Sequence, residues 1–98
     1  MIKVLIPYHL QTLAGAGPEV KIEVPQPVSV KALLEALEAK HPELRGAVID
    51  YASGQRRPKV RFFACKEDLS HQPLDQILPD AVISGQEPFI ILGAISGG

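Results

Sequence analysis

Cysteine is almost missing from this sequence. Cys65 stands alone among 98 residues, which excludes an internal disulfide and any zinc site built on several thiolates. Tryptophan is absent, and there are only three phenylalanines and two tyrosines, so aliphatic side chains must fill the core. An excess of either charge is lacking too. Ten Lys and Arg against eleven Asp and Glu leave a net charge of -1, which argues against a general nucleic-acid binder. No apolar run is long enough to span a bilayer. The run at Met1–Pro7 is too short for a signal peptide and no small-residue cleavage site follows it, so a cytoplasmic location is expected. His9, His41 and His71 fall in different segments without ligand spacing, so no metal site is expected.

What is present is apolar, patterned residues. Hydrophobic residues make up 46% of the chain, enough for one domain over residues 1–98 with one core. Ile2, Val4 and Ile6 alternate with Lys3 and Leu5, and Pro7 closes that strand. Gln11–Pro18, with Gly15 and Gly17, reads as a loop. Glu19–Val24 alternates cleanly, Val20, Ile22 and Val24 against Glu19, Lys21 and Glu23, so the first two strands suggest a hairpin with one face inward.

Ser29 offers a helix N-cap. Val30, Leu33, Leu34 and Leu37 follow at helical spacing, with Lys31, Glu35 and Glu38 on the other face. Pro42 disfavours helical geometry at His41 and ends the helix there. A short helical turn is expected within Glu43–Asp50, through Leu44, Val48 and Ile49. Tyr51–Lys59 reads as a polar, basic loop. Val60–Cys65 is a third strand with Val60, Phe62 and Ala64 on one face. Lys66-Glu67-Asp68 reads as a charged turn, and Leu74, Ile77 and Leu78 mark a short helical or irregular segment. Ser84-Gly85-Gln86 turns the chain into a last apolar strand from Phe89, expected to lie parallel to the first.

One main helix can cover only one face of such a sheet. If the alternation holds, the other face carries Leu5, Phe63, Ile90 and Leu92, an apolar patch of the kind that marks a partner surface. Phe63 and Leu92 are its expected docking residues. The chain ends Leu92-Gly93-Ala94-Ile95-Ser96-Gly97-Gly98. Two glycines without Cβ atoms can take backbone angles closed to other residues and enter a channel too narrow for side chains, so a flexible Gly-Gly tail is expected after the last strand.

The order strand, strand, helix, strand, short segment, strand resembles the ubiquitin-like β-grasp sulfur carriers of the MoaD/ThiS family. The resemblance spans essentially the whole chain. It includes the helix Val30-Lys31-Ala32-Leu33-Leu34-Glu35-Ala36-Leu37, Pro42-Glu43-Leu44-Arg45 after it, the strand leading to Glu67-Asp68, and the terminal Gly97-Gly98. It implies an α+β fold, a mixed sheet with one main helix packed on one face. It implies a carrier and not an enzyme. The Gly98 carboxylate would be adenylated with ATP by an adenylyltransferase resembling ubiquitin-activating enzymes. A sulfur donor would convert the acyl-adenylate to a thiocarboxylate, and a downstream synthase would accept the sulfur. Gly97 would keep the tail thin, and Ser96, Ile95 and Ala94 would lie in the entrance of the partner's channel. Molybdopterin biosynthesis is the implied pathway; delivery into cysteine synthesis and conjugation to protein amines are the alternatives. Two features depart from the family pattern. Many molybdopterin-type members have proline where this chain has Gly93, and Tyr51–Lys59 is longer than in compact members.

Three other groups of residues stand out less. Arg56, Arg57 and Lys59 suit an acidic partner or a phosphate, or simply a solvated loop. Cys65 has no neighbouring base in the sequence, so a packed residue is expected rather than a nucleophile. Glu67 and Asp68 are adjacent, which suits a turn better than paired catalytic acids.

Overall fold

The computed structural model describes residues 1–93. Its centre is a five-stranded sheet in the order β2-β1-β7-β5-β6, from β1 (Ile2–Leu5), β2 (Glu19–Ile22), β5 (Val60–Ala64), β6 (Glu67–Asp68) and β7 (Phe89–Gly93). β1 and β2 pair antiparallel, with Ile2 opposite Ile22 and Val4 opposite Val20. β7 runs parallel to β1, Leu5 beside Ile90, and antiparallel to β5, Phe63 opposite Ile90. The last strand therefore lies parallel beside the first, as expected, and sits in the middle of the sheet.

The period-two pattern decides which face is the core. Ile2, Val4, Val20, Ile22, Val60, Phe62, Phe89 and Ile91 are all buried. Helix α2 (Val30–Lys40) lies over them with Val30, Leu33, Leu34 and Leu37 buried. Ser29 starts that helix, its Oγ accepting from the Ala32 N–H at 3.0 Å. At the other end the His41 N–H donates to the Leu37 carbonyl, and Pro42 opens a 3₁₀ turn over Pro42–Leu44. The two largest inward side chains, Phe62 and Phe89, meet with ring centroids 5.4 Å apart, tilted by 43°, a geometry favourable for aromatic pairs.

Several expectations need correcting. Gln11–Pro18 is not all loop: Tyr8–Ala14 forms helix α1, and the first two strands are joined through it. Pro7 supplies the N-cap and Gly15, at φ 64, the left-handed C-cap. Only Leu10 of that helix is buried, so no apolar stripe announces it. The expected turn in Glu43–Asp50 is confined to Pro42–Leu44. Ile49–Asp50 instead forms β3, paired with Gln55–Arg56 (β4), so the Tyr51–Lys59 loop contains half of a two-stranded ribbon. Of the expected turn Lys66-Glu67-Asp68, only Lys66 belongs to the turn. The reversal is at Cys65 and Lys66, with φ 52 and 66, and Glu67–Asp68 is strand β6. Ile77 is 52% exposed while Leu78 is buried, in irregular chain. A short unexpected helix, α3 (Asp80–Ile83), follows and buries Val82. The turn at Ser84-Gly85-Gln86 holds. Gly85 has φ 85, and a Cβ there would stand only 2.7 Å from the Met1 carbonyl oxygen.

Candidate functional site

β7 delivers the chain to the residues of greatest chemical interest. Residues Ala94, Ile95, Ser96, Gly97 and Gly98 lie outside the described residues; their attachment point, Gly93, lies within them. Gly93 is still paired with Val60 of β5. β1 has ended by then, since the parallel register puts Ile90 beside Leu5, the last residue of β1. The chain therefore leaves the sheet at its middle, between β5 and the segment that turns into α1.

The face away from α2 carries the expected apolar residues. Leu5, Ile90 and Phe63 form one row across β1, β7 and β5, because Leu5 registers with Ile90 and Ile90 with Phe63. All three are half-buried. Leu92, one step nearer the tail, is 47% exposed. Thus Leu92 is the accessible residue of this face, while Phe63 belongs to the half-buried row beside it. Glu19 and Asp68 close the row at its two ends, opposite Leu5 and Phe63 respectively.

Arg61 stands opposite Leu92, and its position is fixed. Its guanidinium pairs with Asp68 and donates from Nε to Ser70 Oγ at 3.1 Å. The same Ser70 Oγ accepts from the Phe62 N–H at 2.8 Å, and the Ser70 N–H donates to Asp68 Oδ1 at 2.8 Å. Hydrogen bonds from Ser70, then the Arg61 guanidinium, hold the Asp68 carboxyl well below the usual carboxylate range. Asp68 and Ser70 thus act together on one cation beside Leu92. From the sequence, Glu67 and Asp68 suit a turn better than paired acids, and nothing in their spacing points to Arg61.

Arg56 and Arg57 of the expected basic loop are occupied locally. Arg56 donates from Nε to the Ser70 carbonyl at 2.8 Å and from Nη1 to the Val60 carbonyl at 2.6 Å. Arg57 donates to the Gly46 carbonyl. Arg56 pins the β3–β4 ribbon to the sheet through Val60 of β5. Between that ribbon, α2 and the Ser70–Asp75 segment runs an open groove of about 840 Å³, lined by both charges, among them Lys31, Glu35, Glu38, Arg56 and His71. The Tyr51 hydroxyl donates to Glu38 across it, and that bond, with desolvation, raises the Tyr51 pKa. Among the described residues no three His, Cys, Asp or Glu side chains group to hold a metal ion. Cys65 is half-buried in the β5–β6 turn.

This architecture is the ubiquitin-like β-grasp fold. No family model matches the sequence, and no curated protein matches it. Solved structures do. SAMP1 from Haloferax volcanii superposes with a TM-score of 0.76 at 21% identity, covering 98% of this chain and 97% of that one. A chain of the Amycolatopsis orientalis BexX/CysO complex gives 0.77 at 19% identity, with both chains covered fully (100% and 100%). Mycobacterium tuberculosis CysO gives 0.76 at 23% identity over 97% of this chain and 100% of that one. The fold is therefore the one that the resemblance to MoaD/ThiS carriers implied, and it is shared over whole chains with small proteins of the modifier and CysO kinds. Among the described residues no helix is long and apolar enough to cross a membrane.

Proposed function

We propose that this chain is a sulfur carrier whose reactive group is the Gly98 carboxylate. One observation carries the reading: Gly97 and Gly98 follow, within a few residues, the central strand of a β-grasp sheet. A carboxylate is a poor acyl donor. Joining it to AMP, with release of pyrophosphate from ATP, supplies a good leaving group. A hydrosulfide-level donor then attacks the acyl carbon; the C–S bond forms, the C–O bond to AMP breaks, and a thiocarboxylate remains. The ATP belongs to a partner adenylyltransferase resembling ubiquitin-activating enzymes, and the acceptor to a downstream synthase. The carrier contributes a rigid base, a thin end and a docking face. Leu92 and Phe63 on the outer sheet face meet the partner, and Ala94, Ile95 and Ser96 occupy the entrance of its channel.

Molybdopterin biosynthesis is the proposed destination of the sulfur, with delivery into cysteine synthesis the alternative. The likeness to a small archaeal modifier protein favours a second reading, in which a lysine amine attacks the same activated Gly98. The deciding experiment is intact-protein mass spectrometry after incubation with the host's adenylating enzyme, ATP and a sulfur donor. Replacement of one oxygen by sulfur at Gly98, lost when Gly98 is deleted, is the expected result. No modification by an enzyme that is active on another carrier would overturn it. An amide-linked adduct in extracts would support conjugation instead.

A further inference from the structure

Gly93 is glycine for want of space, not for backbone freedom. It shares strand parity with Phe89 and Ile91, both buried, so a side chain at position 93 would point to the core face. That place is taken. A Cβ on Gly93 would overlap His9 Cε1 and stand 3.0 and 3.1 Å from the two ring nitrogens. The imidazole comes from α1, an element far from β7 in sequence, and it lies against the last described residue before the tail. Gly93 keeps its pairing with Val60 on one side, and β1 has already ended on the other. The His9 ring takes up room at this open end of the sheet that the missing side chain leaves.

We infer that His9 is a positioning residue for the root of the tail: its ring, lying over Gly93, fixes where the chain departs from the sheet. The functional part of this inference rests on the carrier reading above; the structural part does not. A tail of five residues must be threaded into a partner, and a root held in one place leaves fewer conformations to lose on binding. The ring does this by shape. His9 is exposed, so displacing it costs the fold little and shows instead in the tail.

The test is a double-mutant cycle of His9→Ala and Gly93→Ala, with His9→Phe as a ring-retaining control. Two readouts are taken: backbone amide chemical shifts of residues 91–98, and the KM and kcat with which the adenylating enzyme uses each carrier. Either single change releases the same contact. We expect both to shift the tail amides in the same direction and to raise KM about 3- to 10-fold with kcat unchanged. The double variant should be no worse than either single, and His9→Phe should keep the wild-type values. Wild-type tail amides in His9→Ala, or additive effects in the double variant, would overturn the inference. If an enzyme active on another carrier fails to adenylate even the wild type, the carrier reading fails, while the amide shifts still decide whether His9 holds the tail root.

Discussion

Arg61 faces Leu92 across the β5–β7 pair, so a held guanidinium and an exposed leucine lie side by side on the outer face, one residue from the tail root. Neither contributes to the core. A partner covering the central strand, as proposed above, would meet both: the leucine would supply apolar area, the guanidinium a directed charge. Leu92→Ser should leave the unfolding free energy within about 0.5 kcal/mol of wild type, as for other surface changes. It should lower the kcat/KM of carrier activation by about 5- to 30-fold, the size of a hot-spot contact. Steady-state kinetics beside a denaturant titration checks both; an unchanged kcat/KM would remove Leu92 from the docking face.

Leu37 shows the opposite profile. It is buried on the inward face of α2, among the side chains covering the inner face of the sheet. Leu37→Ala should cost about 2–5 kcal/mol from lost transfer energy and an incompletely collapsed cavity. At a temperature where the variant remains folded, its activation kinetics should match wild type. Urea unfolding followed by circular dichroism measures the first, and the adenylation assay the second.

Asp68 should shape the acid limb of stability. Its folded pKa lies below the unfolded value, so the ionised form is stabilised in the native state. That contribution is complete above the unfolded carboxylate value of about 4, and it fades as pH falls below this and the carboxyl takes up a proton. Asp68→Asn should lower stability near neutrality and remove part of the decline on acidification. Urea midpoints compared between about pH 6 and pH 3 test this. A decline in Asp68→Asn as steep as in wild type would show that other carboxylates carry it.

Tyr51 should titrate on the alkaline side of an ordinary tyrosine. Its hydroxyl donates to Glu38, and ionisation would place two negative charges together. A raised folded pKa means that the stabilisation is present below the unfolded value of about 10 and is lost as pH rises through the folded one. Ultraviolet titration of tyrosinate, with Tyr8 and Tyr51 separated by Tyr8→Phe and Tyr51→Phe, should place Tyr51 above an ordinary tyrosine. Glu38→Gln should bring it down.

The sequence by itself determined the elements whose patterns are long. Six apolar positions of one period, Ile2, Val4 and Ile6 with Val20, Ile22 and Val24, place β1 and β2. The Leu33, Leu34 and Leu37 stripe, with Ser29 before it and Pro42 after, places α2. The inward set Val60, Phe62 and Ala64 places β5, and the Leu5, Ile90, Phe63 row followed from alternation alone, though only Leu92 proved openly exposed. Such patterns are legible because burial on one face selects residues at a fixed spacing.

The elements that were missed are short or bury too little to leave a stripe. Helix α1 buries only Leu10, β3 and β4 are two residues each, and α3 rests on Val82. Tertiary contacts, not local propensity, stabilise segments of this length. The tertiary structure alone decided three features of the site. Arg61 is held by Asp68 and Ser70, Arg56 pins the ribbon through the Ser70 and Val60 carbonyls, and the His9 ring occupies the space that Gly93 leaves. Each joins residues whose separation along the chain carries no periodic signal. His9 and Gly93 come together only because β7 is inserted beside β1 and runs past its end, where the chain has already turned into α1.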